Sequence, residues 1–157
     1  MHSFIVQISD KKIEKEDYID SDIEYSYEFL DYTSDTTESE REDVINYIFR
    51  GGLFPGNSFA IIDDTTIEYL GGTGDMFVKW IEEIKQTALN LNEDNVFRSV
   101  QYGDLFKITQ NALKTDVLFH ISPEKYGCLE KSTALFEFVM GLCVGQRFYV
   151  GGVLNCH

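Results

Sequence analysis

The loop Gly71-Gly72-Thr73-Gly74 is the first place in this chain where residue type and spacing could do chemistry. A glycine-rich turn that opens a helix can cradle phosphate, because its backbone N–H groups are free and the helix end is electropositive. The spacing argues against that use. The third glycine of a dinucleotide fingerprint would fall on Phe77, and no Gly-Lys-Ser/Thr sequence is present. Asp75 would also repel an anion there. A tight connection with a polar cap accounts for the same residues.

The other reactive side chains are dispersed. Cys156-His157 could donate to a metal, but a zinc site needs three or four convergent ligands, and neither a C-x-x-C nor an H-x-x-x-H spacing supplies them. His2 and Cys128 could join such a site only through the tertiary fold. His120 lies inside the apolar run Val117-Leu118-Phe119-His120-Ile121, where a hydrogen-bonded strand histidine is the ordinary reading. There is no G-x-S-x-G elbow, and the three cysteines have no recognisable catalytic context. Asp63-Asp64 and Glu82-Glu83 are neighbours in sequence. Neighbours on a strand point to opposite faces, so adjacency does not make a paired-carboxylate centre. The expectation is no catalytic residue, no metal and no cofactor.

Charge carries the strongest pattern. The net charge is −14. Fourteen acidic residues fall between Asp10 and Asp43 against Lys11, Lys12, Lys15 and Arg41, which places −10 of it in about a fifth of the chain. This segment is also aromatic: Tyr18, Tyr25, Tyr27, Phe29 and Tyr32 lie among Asp17, Asp20, Asp22, Glu24, Glu28 and Asp31. Disordered acidic tails are poor in aromatics, so the segment is expected to fold onto the domain. Tyrosine is enriched in interface cores because it offers contact area with a polar tip. Asp17, Tyr18, Asp20, Asp22, Glu24, Tyr25, Tyr27, Glu28, Asp31 and Tyr32 are therefore the candidate partner-binding residues. A solvated acidic surface over buried tyrosines would use the same residues.

This charge excludes some classes of function. Nucleic acid and anionic membrane surfaces repel such a chain. The longest apolar stretch, 133–154, is interrupted by Glu137, Gln146 and Arg147 and reads as soluble core, so no membrane span is expected. The early apolar run Phe4-Ile5-Val6-Gln7-Ile8 is too short for a secretion signal and lacks a basic flank. With an odd, sparse set of cysteines, this reads as a cytoplasmic protein. At 157 residues, 43% of them hydrophobic, with only Pro55 and Pro123, the chain 1–157 reads as a single globular domain.

The elements follow from periodicity. Ser3 to Ser9 reads as a strand. Glu24 to Tyr32 fits either strand or helix spacing. Thr37 with Glu40, or Ser39 with Glu42, forms a capping box before Val44, Ile45, Ile48 and Phe49, and Gly51-Gly52 stops that helix. Ser58–Ile62 and Thr66–Leu70 read as a hairpin turning at Asp63, Asp64 and Thr65. Phe77, Trp80, Ile81, Ile84, Ala88 and Leu91 form one face of the best helix. Val96–Tyr102 and Leu105–Thr109 read as a second hairpin about Gly103-Asp104. Val117–Ile121 is a strand, Ser122-Pro123-Glu124 a helix start, and Ser132 could cap a helix ending at Gly145, preferred over a buried strand pair turning at Gly145-Gln146 because Ala, Leu, Glu and Met outnumber β-branched residues there. Arg147 to Leu154 is the last strand.

The fold class expected is α+β, a single domain with a mostly antiparallel sheet packed against two or three helices. The function expected is an acidic protein-binding module, an inhibitor or immunity-type protein that masks a basic partner. The alternative is a small enzyme or ligand-binding domain whose site is assembled from distant residues.

Overall fold

The computed structural model describes residues 3–23, 25 and 31–157. In chain order they form β1 (Ser3–Ser9), β2 (Thr33–Asp35), α1 (Glu38–Phe49), β3 (Phe59–Ile61), β4 (Thr66–Tyr69), α2 (Gly74–Leu89), α3 (Val96–Gln101), α4 (Asp104–Gln110), β5 (Leu118–Ile121), α5 (Ser132–Met140) and β6 (Arg147–Cys156). The sheet order is β3-β4-β6-β1-β5, with β2 also pairing with β6. Only the β1–β5 pair is parallel among these described strands. The architecture is α+β with a mostly antiparallel sheet, as the periodicity implies. No helix among the described residues is long and apolar enough to cross a membrane.

β6 is the axis of the sheet. It pairs with β1 on one side and, on the other, with β4 near its start and β2 near its end. Its pairing with β1 is interrupted once. Val6 is opposite Val153 and Ile8 is opposite Val150, so Gly151 and Gly152 together face Gln7. Two residues against one is a β-bulge, which changes which residues of β6 face each side of the sheet. Before and after it, Val150 and Val153 both join the larger core, while Leu154 and Cys156 join the smaller one.

The larger core lies under α1 and α5. Val44, Ile45, Ile48 and Phe49 from α1 and Leu135, Phe136 and Val139 from α5 bury against Val6, Ile8, Phe119, Phe148 and Val150. Phe49 anchors an aromatic group, with ring centroids 5.0 Å from Phe59 and 5.5 Å from Phe148. Each such fully buried side chain contributes about 1.5–3 kcal/mol by leaving water. The smaller core, Ile5, Ile19, Leu154 and Cys156, lies on the other side of β1. Ile19 comes from the acidic segment, which thus serves as a cover for the sheet.

α1 begins at the expected capping box: Thr37 Oγ1 accepts from the Glu40 N–H, and the Glu40 carboxylate accepts from the Thr37 N–H at 2.8 Å. Gly51, at φ +110°, follows its last turn. The hairpin β3–β4 is held at its turn by Asp63 Oδ1, which accepts from the N–H groups of Thr65 and Thr66.

Three expectations are corrected. Residues 96–109 are two short helices, α3 and α4, instead of a hairpin. Their apolar residues fit three- and four-residue spacing as well as alternation, and packing decides. The Trp80 Nε1–H donates to the Ile108 carbonyl at 3.0 Å, fastening α4 to α2. Gly103 permits the corner between them, since a Cβ there would stand 2.8 Å from Ser99 Cα. Ser122-Pro123-Glu124 starts no helix; the Ser122 hydroxyl accepts from the Glu124 N–H at 3.1 Å, closing a local turn. Ser132 is the first residue of α5 and not its cap. Its hydroxyl accepts from the Leu113 N–H at 2.9 Å, which removes it from capping duty. That helix ends at Met140, ahead of Gly145.

Candidate functional site

The acidic segment is positioned by the bulge in β6. A bulge leaves backbone groups without ladder partners, and here two side chains take them. Gln7, fully buried in β1, accepts from the Gly152 N–H at 3.0 Å and from the Ile19 N–H at 3.0 Å through the same Oε1. Its Nε2 donates to the Asp17 carbonyl at 3.0 Å. One carboxamide thus joins the bulge to the strap formed by residues 10–23. The other side chain is Arg41 of α1, whose Nε and Nη2 donate to the carbonyls of Gly151 and Val150, both at 2.9 Å. Ile13 and Ile19, buried at 2% and 3% exposure, fix the strap at its two ends.

Tyr18 lies between these anchors. The Arg41 guanidinium stands over its ring, 5.3 Å from the centroid. Tyr18, Lys15, Glu38, Glu42, Asp63 and Asp64 line an open cleft of about 300 Å³ between the strap, α1 and the β3–β4 turn. Burial pushes the Tyr18 phenol up, opposed by Arg41 and reinforced by Asp64, Asp63 and Glu14. The carboxylates near Tyr18 therefore come from three separate parts of the sequence.

Asp17, Asp20 and Asp22 gather about a cation instead. Lys125 Nζ is 2.9 Å from Asp20 Oδ2, and all three carboxylates raise the lysine's affinity for its proton. Asp20 in turn is held below the usual carboxylate range, first by that hydrogen bond. Asp17 and Asp22 are exposed. Ser21 accepts no part in this group; its N–H and hydroxyl donate to the Asp35 carboxylate.

The remaining candidates lie apart from the cleft. Tyr25 is half-buried, with its hydroxyl 2.8 Å from His120 Nδ1. Burial pushes that phenol far above its ordinary value. Asp31 and Tyr32 both donate their N–H groups to the His157 carbonyl, and the exposed Tyr32 ring stacks on the His157 ring at 4.6 Å. Glu24, Tyr27 and Glu28 lie outside the described residues, as do Phe29 and His2.

The glycine loop serves as a connection. Gly71 and Gly72 both have φ +88°, which turns the chain from β4 into α2. The Thr73 hydroxyl pairs with the Tyr69 hydroxyl at 2.6 Å, and Asp75 occupies the first turn of α2. The Ser58 hydroxyl oxygen, buried and without a hydrogen-bond partner among the described residues, lies close beneath Gly72, where a Cβ would stand 3.3 Å from it. Cys128 and Cys143 are exposed and Cys156 is buried, all as free thiols. Among the described residues, no three His, Cys, Asp or Glu side chains converge as metal ligands.

Gln7, Arg41 and Lys125 organise this region without standing out in sequence. Gln7 has one signal, a polar residue in the middle of an apolar strand. Arg41 has another, as the one arginine within the acidic stretch. Lys125 has none. Comparison with family models, with curated proteins and with solved structures finds no match to this chain.

Proposed function

We propose that the protein is an acidic binding module of inhibitor or immunity type, acting in the cytoplasm, that masks a basic protein partner. The face that would receive the partner runs from the Tyr18 cleft, with Glu38, Glu42 and Asp64, to Asp17 and Asp22. One observation carries this reading: the acidic strap has exposed carboxylates on a backbone fixed by Gln7, Ile13 and Ile19. Fixing the backbone in advance lowers the ordering cost of association. Clustered charge of one sign accelerates encounter with an oppositely charged surface. Tyr18 adds aromatic area at the centre of the charge, where interface cores favour it.

The test is affinity capture from the native host followed by association kinetics. The expected result is a basic protein recovered at 1:1, with an on-rate that falls about tenfold or more between low and physiological salt. The double charge reversal Glu42→Lys with Asp64→Lys, both on exposed positions, should slow association further and leave the fold intact. Recovery of no stoichiometric partner, or a salt-independent on-rate, overturns the proposal.

A further inference from the structure

Val78, Glu82, Lys85 and Leu89 of α2 are spaced four, three and four residues apart. At 100° per residue that spacing makes them one stripe along the helix, about 140–200° round from Trp80. Trp80 fastens α2 to the domain: it bonds the Ile108 carbonyl of α4, and its ring stands 5.6 Å from that of Phe136 in α5. The stripe therefore points away from both. Val78 is 58% and Leu89 75% exposed. Between them Lys85 Nζ lies 3.6 Å from Glu82 Oε1, so the charge in the middle of the stripe is balanced within the helix.

Single exposed apolar side chains are ordinary. The order of these four is not. They run apolar, acidic, basic, apolar, with spacing symmetric about one point between Glu83 and Ile84. A two-fold axis through that point, perpendicular to the helix, sets two α2 helices antiparallel. Val78 then meets Leu89 of the second copy and Glu82 meets its Lys85, each contact occurring twice. A parallel pairing would set Glu82 on Glu82 and Lys85 on Lys85, so charge selects the antiparallel one.

The wider surroundings favour the same contact. Residues 74–116, which carry α2, α3 and α4, hold seven acidic and five basic residues, so only −2 of the −14 falls there. None of these residues is buried, which leaves the helical layer with apolar surface to cover. Two copies approaching through the acidic strap would repel. Through α2 they meet where charge nearly cancels.

We infer that α2 is a self-association face, through which two copies of this chain pair as an antiparallel α2–α2 dimer. One helix pair is at the small end of specific interfaces, so the dimer is a weak one that needs micromolar or higher concentration. The acidic face of strap, α1 and β3–β4 turn is left open, so the pairing stands or falls separately from the binding proposal.

Sedimentation equilibrium of the whole protein from about 10 to 300 µM, in about 0.3 M salt to screen the acidic faces, tests it. The mass is expected to rise with concentration from monomer towards dimer and no further, since a two-fold contact closes on itself. Val78→Asp combined with Leu89→Asp should stay monomeric. Glu82→Lys should weaken the dimer about tenfold, because it sets lysine against lysine at both repeats of the contact. Adding Lys85→Glu exchanges the two charges and should restore the wild-type constant within about threefold. All four positions are exposed, so each variant should keep the wild-type circular dichroism. Monomer mass throughout the range overturns the inference, as does a dimer that persists in the double aspartate variant. An exchange variant as weak as Glu82→Lys alone overturns it too.

Discussion

The Gln7 carboxamide oxygen accepts a hydrogen bond from the Ile19 N–H at 3.0 Å, inside the protein and across twelve residues of chain. The same oxygen takes the Gly152 N–H at 3.0 Å. This one atom links strand β1, the bulge of β6 and the acidic strap. Replacing it with an apolar group of similar length leaves two buried N–H groups unsatisfied, each worth about 1–3 kcal/mol. Gln7→Met should therefore destabilise the protein by about 2–4 kcal/mol in urea unfolding. The Ile19 amide should exchange faster than core amides of β1.

The bulge itself depends on two absent side chains. A Cβ on Gly152 would collide with the Ile19 carbonyl, and one on Gly151 would collide with the Gln7 carboxamide. Gly152→Ala should cost about 2–4 kcal/mol, because the obstacle is backbone and cannot move aside. Gly74, the first residue of α2, has open space around its Cβ position and no unusual backbone angle. Gly74→Ala should be neutral or stabilise by up to about 1 kcal/mol through the unfolded chain. Thermal unfolding of the two variants would separate steric from entropic roles of glycine.

Arg41 binds two carbonyls with a planar fork, Nε to Gly151 and Nη2 to Val150. Lysine keeps the charge and loses the fork. Arg41→Lys should destabilise by about 1–2 kcal/mol in denaturant unfolding. It should also alter Tyr18 fluorescence, since the guanidinium leaves the ring face.

Stability should fall on both sides of neutrality, for different groups. Burial holds the His120 imidazole below its ordinary value of 6.5 in the fold. The unfolded chain therefore takes up a proton first, and stability is lost as pH drops through about 6.5 towards the folded value. Asp20 and Asp63 are held below 3.8, so whatever they contribute is present above that pH and fades beneath it. Tyr25 is raised above 10.0, so the unfolded chain ionises first and stability declines as pH rises past about 10. Urea midpoints across this range should show a plateau between the His120 and Tyr25 flanks. His120→Gln should flatten the slope just below pH 6.5; an unchanged slope would assign it to another group.

Local sequence rules determined much of the fold. The capping box at Thr37 and Glu40, the turn at Asp63, the apolar face of α2 and the strand patterns of β1, β4 and β6 depend on neighbours within a few residues. Their physics is therefore written in short windows. The concentration of acid between Asp10 and Asp43 is likewise a property of composition, and so is the presence in that segment of apolar residues able to fold it down.

The tertiary structure decided what local rules left open. Residues 96–109 satisfy both strand and helix spacing, and the Trp80–Ile108 hydrogen bond with the corner at Gly103 selects helices. The residues of the acidic segment meet partners from outside it, because Asp63 and Asp64 reach Tyr18 from the β3–β4 turn while Lys125 gathers Asp17, Asp20 and Asp22. Tyr25, grouped by sequence with the acids, is joined to His120 across 95 residues. A one-dimensional pattern records which groups a segment carries. Which groups they meet is set by the register of β6 against β1, where Gly151 and Gly152 make room for Gln7 and the strap.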